Sequence, residues 1–342
     1  MDLEILKVGN TPTEPNKVIL SFLGEYYLAG SLIDLGYHLV DKKKLENHNV
    51  PYEAYDNIGK YTLVQDGFQT LSFEPEMVKL LEPIYKYSAE LSPNTPGPSD
   101  EDEKIQECID ILQEWIKNKY SELTGETDIT CVCSRHLIMR VAGCNKKSCH
   151  IPGNPLMHLD YISFDKAYER QCEEQEHQPI PVKCPKIDKL IDVINVWFPS
   201  KMVKDWPLGF INIQNVEIKD YIPIELVTGS KACSMRYKEE VSVIYKNDMK
   251  QPEVHMFRSA TKDESKKGVL HGSFRITDKD IQRHSIELRC CIFKNPPSPA
   301  LPPRSKLGGW RSVKKRKLGK RTRKKRTTRR KSIIKKRKSK KK

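Results

Sequence analysis

Apolar positions recur along the chain with two different periods, and the change between them falls near residue 125. Before it, Glu103–Tyr120 carries Ile105, Cys108, Ile109, Leu112, Trp115 and Ile116 at i, i+3, i+4, i+7 spacing, which predicts an amphipathic helix. Acids crowd its start (Asp100, Glu101, Asp102) and Lys117 and Lys119 stand at its end, the order that the helix dipole favours. A second helix is predicted over Glu76–Tyr87, with Met77, Leu80, Leu81 and Ile84 along one side. Between the two, Ser92–Asp100 holds three prolines and a glycine and reads as a loop. After Gly125 the runs are short and rich in β-branched and aromatic residues: Ile129–Val141, Ile191–Phe198, Leu208–Ile218, Glu240–Tyr245, Glu253–Phe257, Gly268–Phe274 and Ser285–Phe293. Pro, Gly, Asn and Asp separate them, which predicts a β-sandwich or jelly roll. The expected class is α+β, with a helical or mixed N-terminal part (1–125) packing on a jelly-roll core (126–294).

Charge adds two further segments. The 342 residues carry 60 Lys+Arg and 45 Asp+Glu, a net of +15, but 23 of those bases lie in 304–342, which has no acid. The preceding body holds the other 37 bases against all 45 acids, a net of −8, so it is not itself a basic nucleic-acid-binding fold. A proline-rich linker (295–303) joins body and tail. The tail's block of like charge predicts disorder, contact with nucleic acid or another polyanion through phosphate groups, and clusters adequate for nuclear import. The N-terminus, Met1-Asp2-Leu3-Glu4, has no secretory pattern, and no run nears the roughly 20 apolar residues that a membrane helix needs. An intracellular protein is expected, cytoplasmic or nuclear, with its ten cysteines reduced.

Candidate chemistry centres on Pro155-Leu-Met-His158-Leu-Asp160-Tyr161. On a strand, residues i and i+2 share a face, so His158 and Asp160 would present an imidazole and a carboxylate together. With one distant histidine they would form the two-His-one-carboxylate set that holds Fe(II) and leaves positions open. His255, His271 and His284 are the candidates for the third ligand; His271 is preferred, in an apolar run with Gly272 beside it. Further on, alternation puts Ser285, Glu287 and Arg289 on one face of a strand and Ile286, Leu288 and Cys290 on the other. An arginine there needs an anion, and the far carboxylate of 2-oxoglutarate would suit its planar fork. An internal Arg289–Glu287 ion pair is the alternative.

The ordered motifs from Gly30 to Phe293 resemble the gibberellin-desaturase and cephamycin-type hydroxylase family of Fe(II)/2-oxoglutarate-dependent oxygenases. Ser31–Val40 resembles the family's early Leu…Gly-Phe-x-Leu segment, and His158-Leu-Asp160-Tyr161 its metal motif. Ile194-Asn195-Val196-Trp197-Phe198-Pro199, followed by Trp206-Pro207-Leu208, resembles its Asn-Val-Trp-Arg-Pro…Pro-Leu signature. Phe257–Asp263 with Leu270–Phe274 resembles the segment of the distal histidine, and Arg283-His-Ser285-Ile-Glu287-Leu-Arg289 the closing motif. Phe198 stands where the family has arginine, and Asn212 where an aspartate often follows Pro-Leu. The resemblance implies a double-stranded β-helix with His158, Asp160 and His271 on Fe(II), and Arg289 on 2-oxoglutarate with Ser285 beside it. Ascorbate would serve as reductant. Asn195, Trp197, Tyr161 and Arg140 are then candidates for the pocket of a small-molecule substrate, with Arg135 and Arg140 as possible anion contacts.

Other signals are weaker. Cys131-x-Cys133 with Cys144, Cys149 and His150 lacks a Cys-x2-Cys knuckle and does not read as zinc. A competing reading of the whole chain is a catalytically inactive jelly roll that acts as a nucleic-acid-associated structural or packaging protein through its tail.

Overall fold

The protein is described by a computed structural model that covers residues 16–24, 38–39, 45–91, 102–142, 156–161, 163–173, 176, 181–225, 231–263, 266–277, 279 and 281–295. The chain divides into two units, 1–298 and 299–342. The second unit, most of the proline linker, and Cys144, Cys149 and His150 lie outside the described residues.

In chain order the first strands are β1 (Lys17–Leu23), β2 (His38–Leu39), β3 (Leu45–Tyr55) and β4 (Phe68–Ser72). Helices α1 (Pro75–Leu80), α2 (Glu82–Glu90) and α3 (Glu103–Thr124) follow. Then come β5 (Ile129–Cys133), β6 (Ile138–Ala142), β7 (His158–Leu159), the short helix α4 (Phe164–Tyr168), β8 (Leu190–Pro199), β9 (Leu208–Ile211) and β10 (Ile222–Glu225). The last are β11 (Lys231–Ser234), β12 (Val243–Lys246), β13 (Glu253–Thr261), β14 (His271–Ser273) and β15 (Arg283–Lys294). Two sheets result. The larger runs β1-β3-β12-β9-β14-β7-β11-β10-β2; the smaller runs β4-β13-β8-β15-β5, with β6 on the other end of β15.

Strand alternation divides the smaller sheet's two faces. Ile194, Val196 and Phe198 of β8 and Ile286, Leu288, Cys290 and Ile292 of β15 pack outward in one cluster with Ile109, Leu112 and Ile116 of α3. Each of these side chains is fully buried, a gain of about 1.5–3 kcal/mol apiece for the larger ones. On the other face, Trp197 of β8 and Phe257 of β13 meet Phe210 and Ile244 of the larger sheet, while Val193 of β8 and Cys291 and Phe293 of β15 pack with Ala167 of α4. Strands β1, β3 and β4 enter the two sheets, so residues before 125 supply sheet as well as helix.

Several elements differ from expectation for local reasons. The helix expected over Glu76–Tyr87 is two helices, because Pro83 has no N–H and its ring opposes a continuous turn. Leu80, expected on the buried side, is 53% exposed. The run Ile129–Val141 is interrupted at Ser134–Leu137. Asn212 ends β9, its side chain accepting from Gln214 N at 3.0 Å to form a turn. The expectation of reduced thiols also differs, because strand register sets Cys290 opposite Cys133. These two form a disulfide, as do Cys172 and Cys184; Cys108, Cys131, Cys233 and Cys291 are free and buried.

Candidate metal and cofactor site

Strand pairing brings the two histidines together. His158 on β7 is the direct cross-strand partner of His271 on β14, and their rings lie 4.8 Å apart, centre to centre. Asp160, just beyond β7, completes the group. Its Oδ1 is 4.0 Å from His158 Nε2 and its Oδ2 is 3.7 Å from His271 Nε2. All three are buried, with one ligand atom of each within 4.8 Å of the others.

Backbone carbonyls decide the tautomers. His158 Nδ1 lies 2.8 Å from Leu156 O, and His271 Nδ1 lies 3.1 Å from Val269 O. A carbonyl only accepts, so in the neutral ring each Nδ1 donates and each Nε2 presents a lone pair toward Asp160. Burial and the neighbouring His271 push the His158 pKa down to about 4, which keeps that ring in its ligand form at neutral pH. Burial opposes the Asp160 charge, yet Arg289 and the two histidines hold its pKa below the usual carboxylate range. Two imidazole Nε2 atoms and one carboxylate, converging on one point, are a donor set that fits a divalent Fe(II).

The carboxylate is held from behind. Asn195 Nδ2 donates to Asp160 Oδ2 at 2.6 Å and to Glu287 Oε1 at 3.3 Å. Arg289 Nη2 donates to Asp160 Oδ1 at 2.5 Å, and its Nε to Glu287 Oε1 at 2.7 Å. The guanidinium lies over Tyr161, whose hydroxyl accepts from Gln171.

These contacts give each residue named from the motifs its surroundings. Arg289, expected to receive 2-oxoglutarate, is paired with the Asp160 and Glu287 carboxylates; the Arg289–Glu287 pair left open above is present. Asn195 and Tyr161 stand behind Asp160 and Arg289, not in the wall of the hollow that opens before the triad. Trp197 and Arg140 do line it, with Leu208, Gly272, Ser273, Arg283 and Glu287. Arg135 is drawn away to Asp110 on α3. Of the alternative third ligands, His284 faces Ser88 O at 2.9 Å, and His255 bonds to Thr70.

Arg283 is the residue that the motifs underweighted. It is 2% exposed, stacks over Trp197 at 5.3 Å, and donates from Nη1 to Trp206 O at 2.6 Å. Its Nε has no hydrogen-bond partner among the described residues, and neither do Ser273 Oγ, Ser285 Oγ or Asn195 Oδ1. Burial and Arg140 both disfavour its charge, with Glu287 opposing them. Since a guanidinium stays protonated, this is a buried cation placed to receive an anion. The sequence did carry the signal: Arg283 has the same strand parity as Ser285, Glu287 and Arg289.

A family model described as "Oxidoreductase/YMDC permease-like domain" matches residues 133–293, from the end of β5 through β15. No curated protein matches the chain in sequence. Among solved structures, the chain is similar to the iron and alpha-ketoglutarate-dependent endoperoxidase NvfI. The TM-score is 0.57 with 14% identity, over 82% of this chain and 98% of that one. The same enzyme in a different conformation gives a TM-score of 0.55 with 13% identity, over 82% and 98%. The likeness is one of fold, two packed β-sheets consistent with a jelly roll.

Proposed function

We propose that the chain is an Fe(II)- and 2-oxoglutarate-dependent oxygenase, a hydroxylase or desaturase of a small molecule. The observation that carries the reading is the buried convergence of His158, Asp160 and His271 on a hollow that also holds Arg283. Fe(II), when bound with 2-oxoglutarate and O2, supplies the oxidising power that breaks a substrate C–H bond. The chain's residues bind and orient. His158 and His271 hold the metal through Nε2, fixed by their Nδ1–H bonds to backbone. Asn195 and Arg289 aim the Asp160 carboxylate. Arg283 receives the far carboxylate of 2-oxoglutarate, with Ser285 Oγ on the same strand face as a further donor. Trp197 and Leu208 wall the hollow and exclude water. The fold of NvfI supports this reading, and the finer likeness to gibberellin desaturases and cephamycin-type hydroxylases rests on the ordered motifs.

The test is succinate formation from 2-oxoglutarate with Fe(II), ascorbate and O2, without substrate. Slow turnover in the wild type, lost in His158→Ala, is the expected result. Equal inertness of both proteins, with no Fe(II) bound by either, would overturn the proposal.

A further inference from the structure

Trp197 begins a row of stacked and hydrogen-bonded groups that leads from the hollow to the protein surface. Its indole stacks on the imidazole of its cross-strand partner His255, with centres 5.6 Å apart and planes 23° from parallel. His255 is in turn the cross-strand partner of Thr70, so β8, β13 and β4 each give one residue to the row. His255 Nδ1 lies 3.0 Å from Thr70 Oγ1, which lies 2.6 Å from the Tyr55 hydroxyl. Tyr55 packs edge-on against Tyr61, with ring centres 5.0 Å apart. The Tyr61 hydroxyl donates to Glu53 Oε1 at 2.5 Å, and Lys60 bonds the same carboxylate. Trp197, His255, Thr70 and Tyr55 are buried, Tyr61 is half-buried and Glu53 is exposed.

We propose that this row is an electron path with Tyr61 as its terminal donor, through which the protein drains oxidising equivalents formed at the metal position when no substrate is bound. The inference rests on the oxygenase reading. Tryptophan and tyrosine are the side chains most readily oxidised by one electron, and an oxidised phenol is so strong an acid that it needs a base at once. Glu53 is that base, already accepting the Tyr61 hydrogen bond and kept ionised by its bonds to Lys60 and Tyr61.

The step balances. One electron leaves Tyr61 by way of Tyr55 and Trp197 and reduces the oxidant at the metal position by one unit. The Tyr61 O–H bond breaks, its proton forms a new O–H bond on Glu53, and a neutral phenoxyl radical remains. Ascorbate then returns a hydrogen atom to Tyr61, and Glu53 releases its proton to water. Two passages, with two protons taken up from water at the metal position in place of the two released at Glu53, discharge a two-electron oxidant.

The experiment uses the full-length protein loaded with Fe(II), without substrate or ascorbate. One arm adds 2-oxoglutarate and O2; the other adds hydrogen peroxide alone. Freeze-quenched samples are read by electron paramagnetic resonance, and digests by mass spectrometry. A tyrosyl radical is expected in the wild type and is lost in Tyr61→Phe, where oxidised Trp197 peptide rises several-fold. Glu53→Gln keeps the phenol and lowers the radical yield. Tyr237→Phe, off the row, changes neither readout. If succinate forms while radical and Trp197 oxidation are the same in wild type and Tyr61→Phe, the path is overturned and the oxygenase reading stands. A Tyr61 radical with peroxide but no succinate with 2-oxoglutarate sustains the path and overturns the cofactor. No radical in either arm overturns the path.

Discussion

Asp160 sets the two arginines of β15 in different surroundings. Arg289 is neutralised by Asp160 and Glu287, so its fork aims the Asp160 carboxylate, whereas Arg283 is buried with an Nε that has no hydrogen-bond partner among the described residues. Arg289→Lys should therefore weaken Fe(II) binding by about 10–100-fold, as loss of a ligand's supporting contact does. Arg283→Gln should leave Fe(II) binding intact and raise the KM for 2-oxoglutarate by about 10–100-fold, the size of a lost charged contact of about 1.5–3 kcal/mol. Metal titration by calorimetry and initial rates read the two effects; the reverse pattern would return the cofactor to Arg289. His255 makes a second prediction at this scale. Burial and Lys246 push its pKa down to about 3, below an unfolded value of about 6.5. Below that value the unfolded chain takes up a proton that the folded chain refuses, so stability present above it is lost as pH falls toward 3. Between pH 7 and 5 the loss assigned to His255 is about 2 kcal/mol. Urea unfolding of His255→Gln should show a correspondingly flatter dependence; an equal slope in both proteins would show that His255 does not stay neutral in the fold.

At the scale of elements, α3 was legible from its period, but it runs past the expected end at Tyr120 to Thr124, so its last turn carries no base. Asp102 caps it by accepting from Lys104 N at 3.0 Å and Ile105 N at 3.4 Å, and Gly125 closes it at φ +74° with a bond back to Ser121 O. Asp102→Ala should cost about 1 kcal/mol. Leu112→Ala, in the layer between α3 and the smaller sheet, should cost about 2–5 kcal/mol. Differential unfolding in urea checks both, and an unchanged midpoint in Leu112→Ala would mean that the helix is not integral to the core. The β strands were less legible at their ends, because what stops them is local turn chemistry, as at Asn212, or pairing partners far away. Alternation on β15 could be read from sequence: one face takes Ile286, Leu288 and Ile292 against the helices, and the other carries polar groups that only a lined cavity accommodates.

For the whole molecule, the basic segment and the acidic body predict separable behaviour. A chain ending at residue 303 should lose binding to DNA and heparin, and the full chain's affinity should fall steeply with salt. Succinate formation should be the same in both; a loss of turnover on truncation would tie the tail to the site. Among the described residues, no helix is long and apolar enough to cross a membrane. The sequence by itself determined the helical period of α3, the β texture after Gly125, the pairing of His158 with Asp160 on one local face, and the segregation of charge into 304–342. All of these depend on neighbours within a few residues. The sequence also favoured His271 as the third member, but what brings it to the first two is tertiary: His271 reaches His158 through pairing of β14 with β7. Tertiary structure also decided which arginine is left facing the hollow. Alternation allows Arg283 and Arg289 equally, and only the position of Asp160 against β15 neutralises one and leaves the other waiting for an anion.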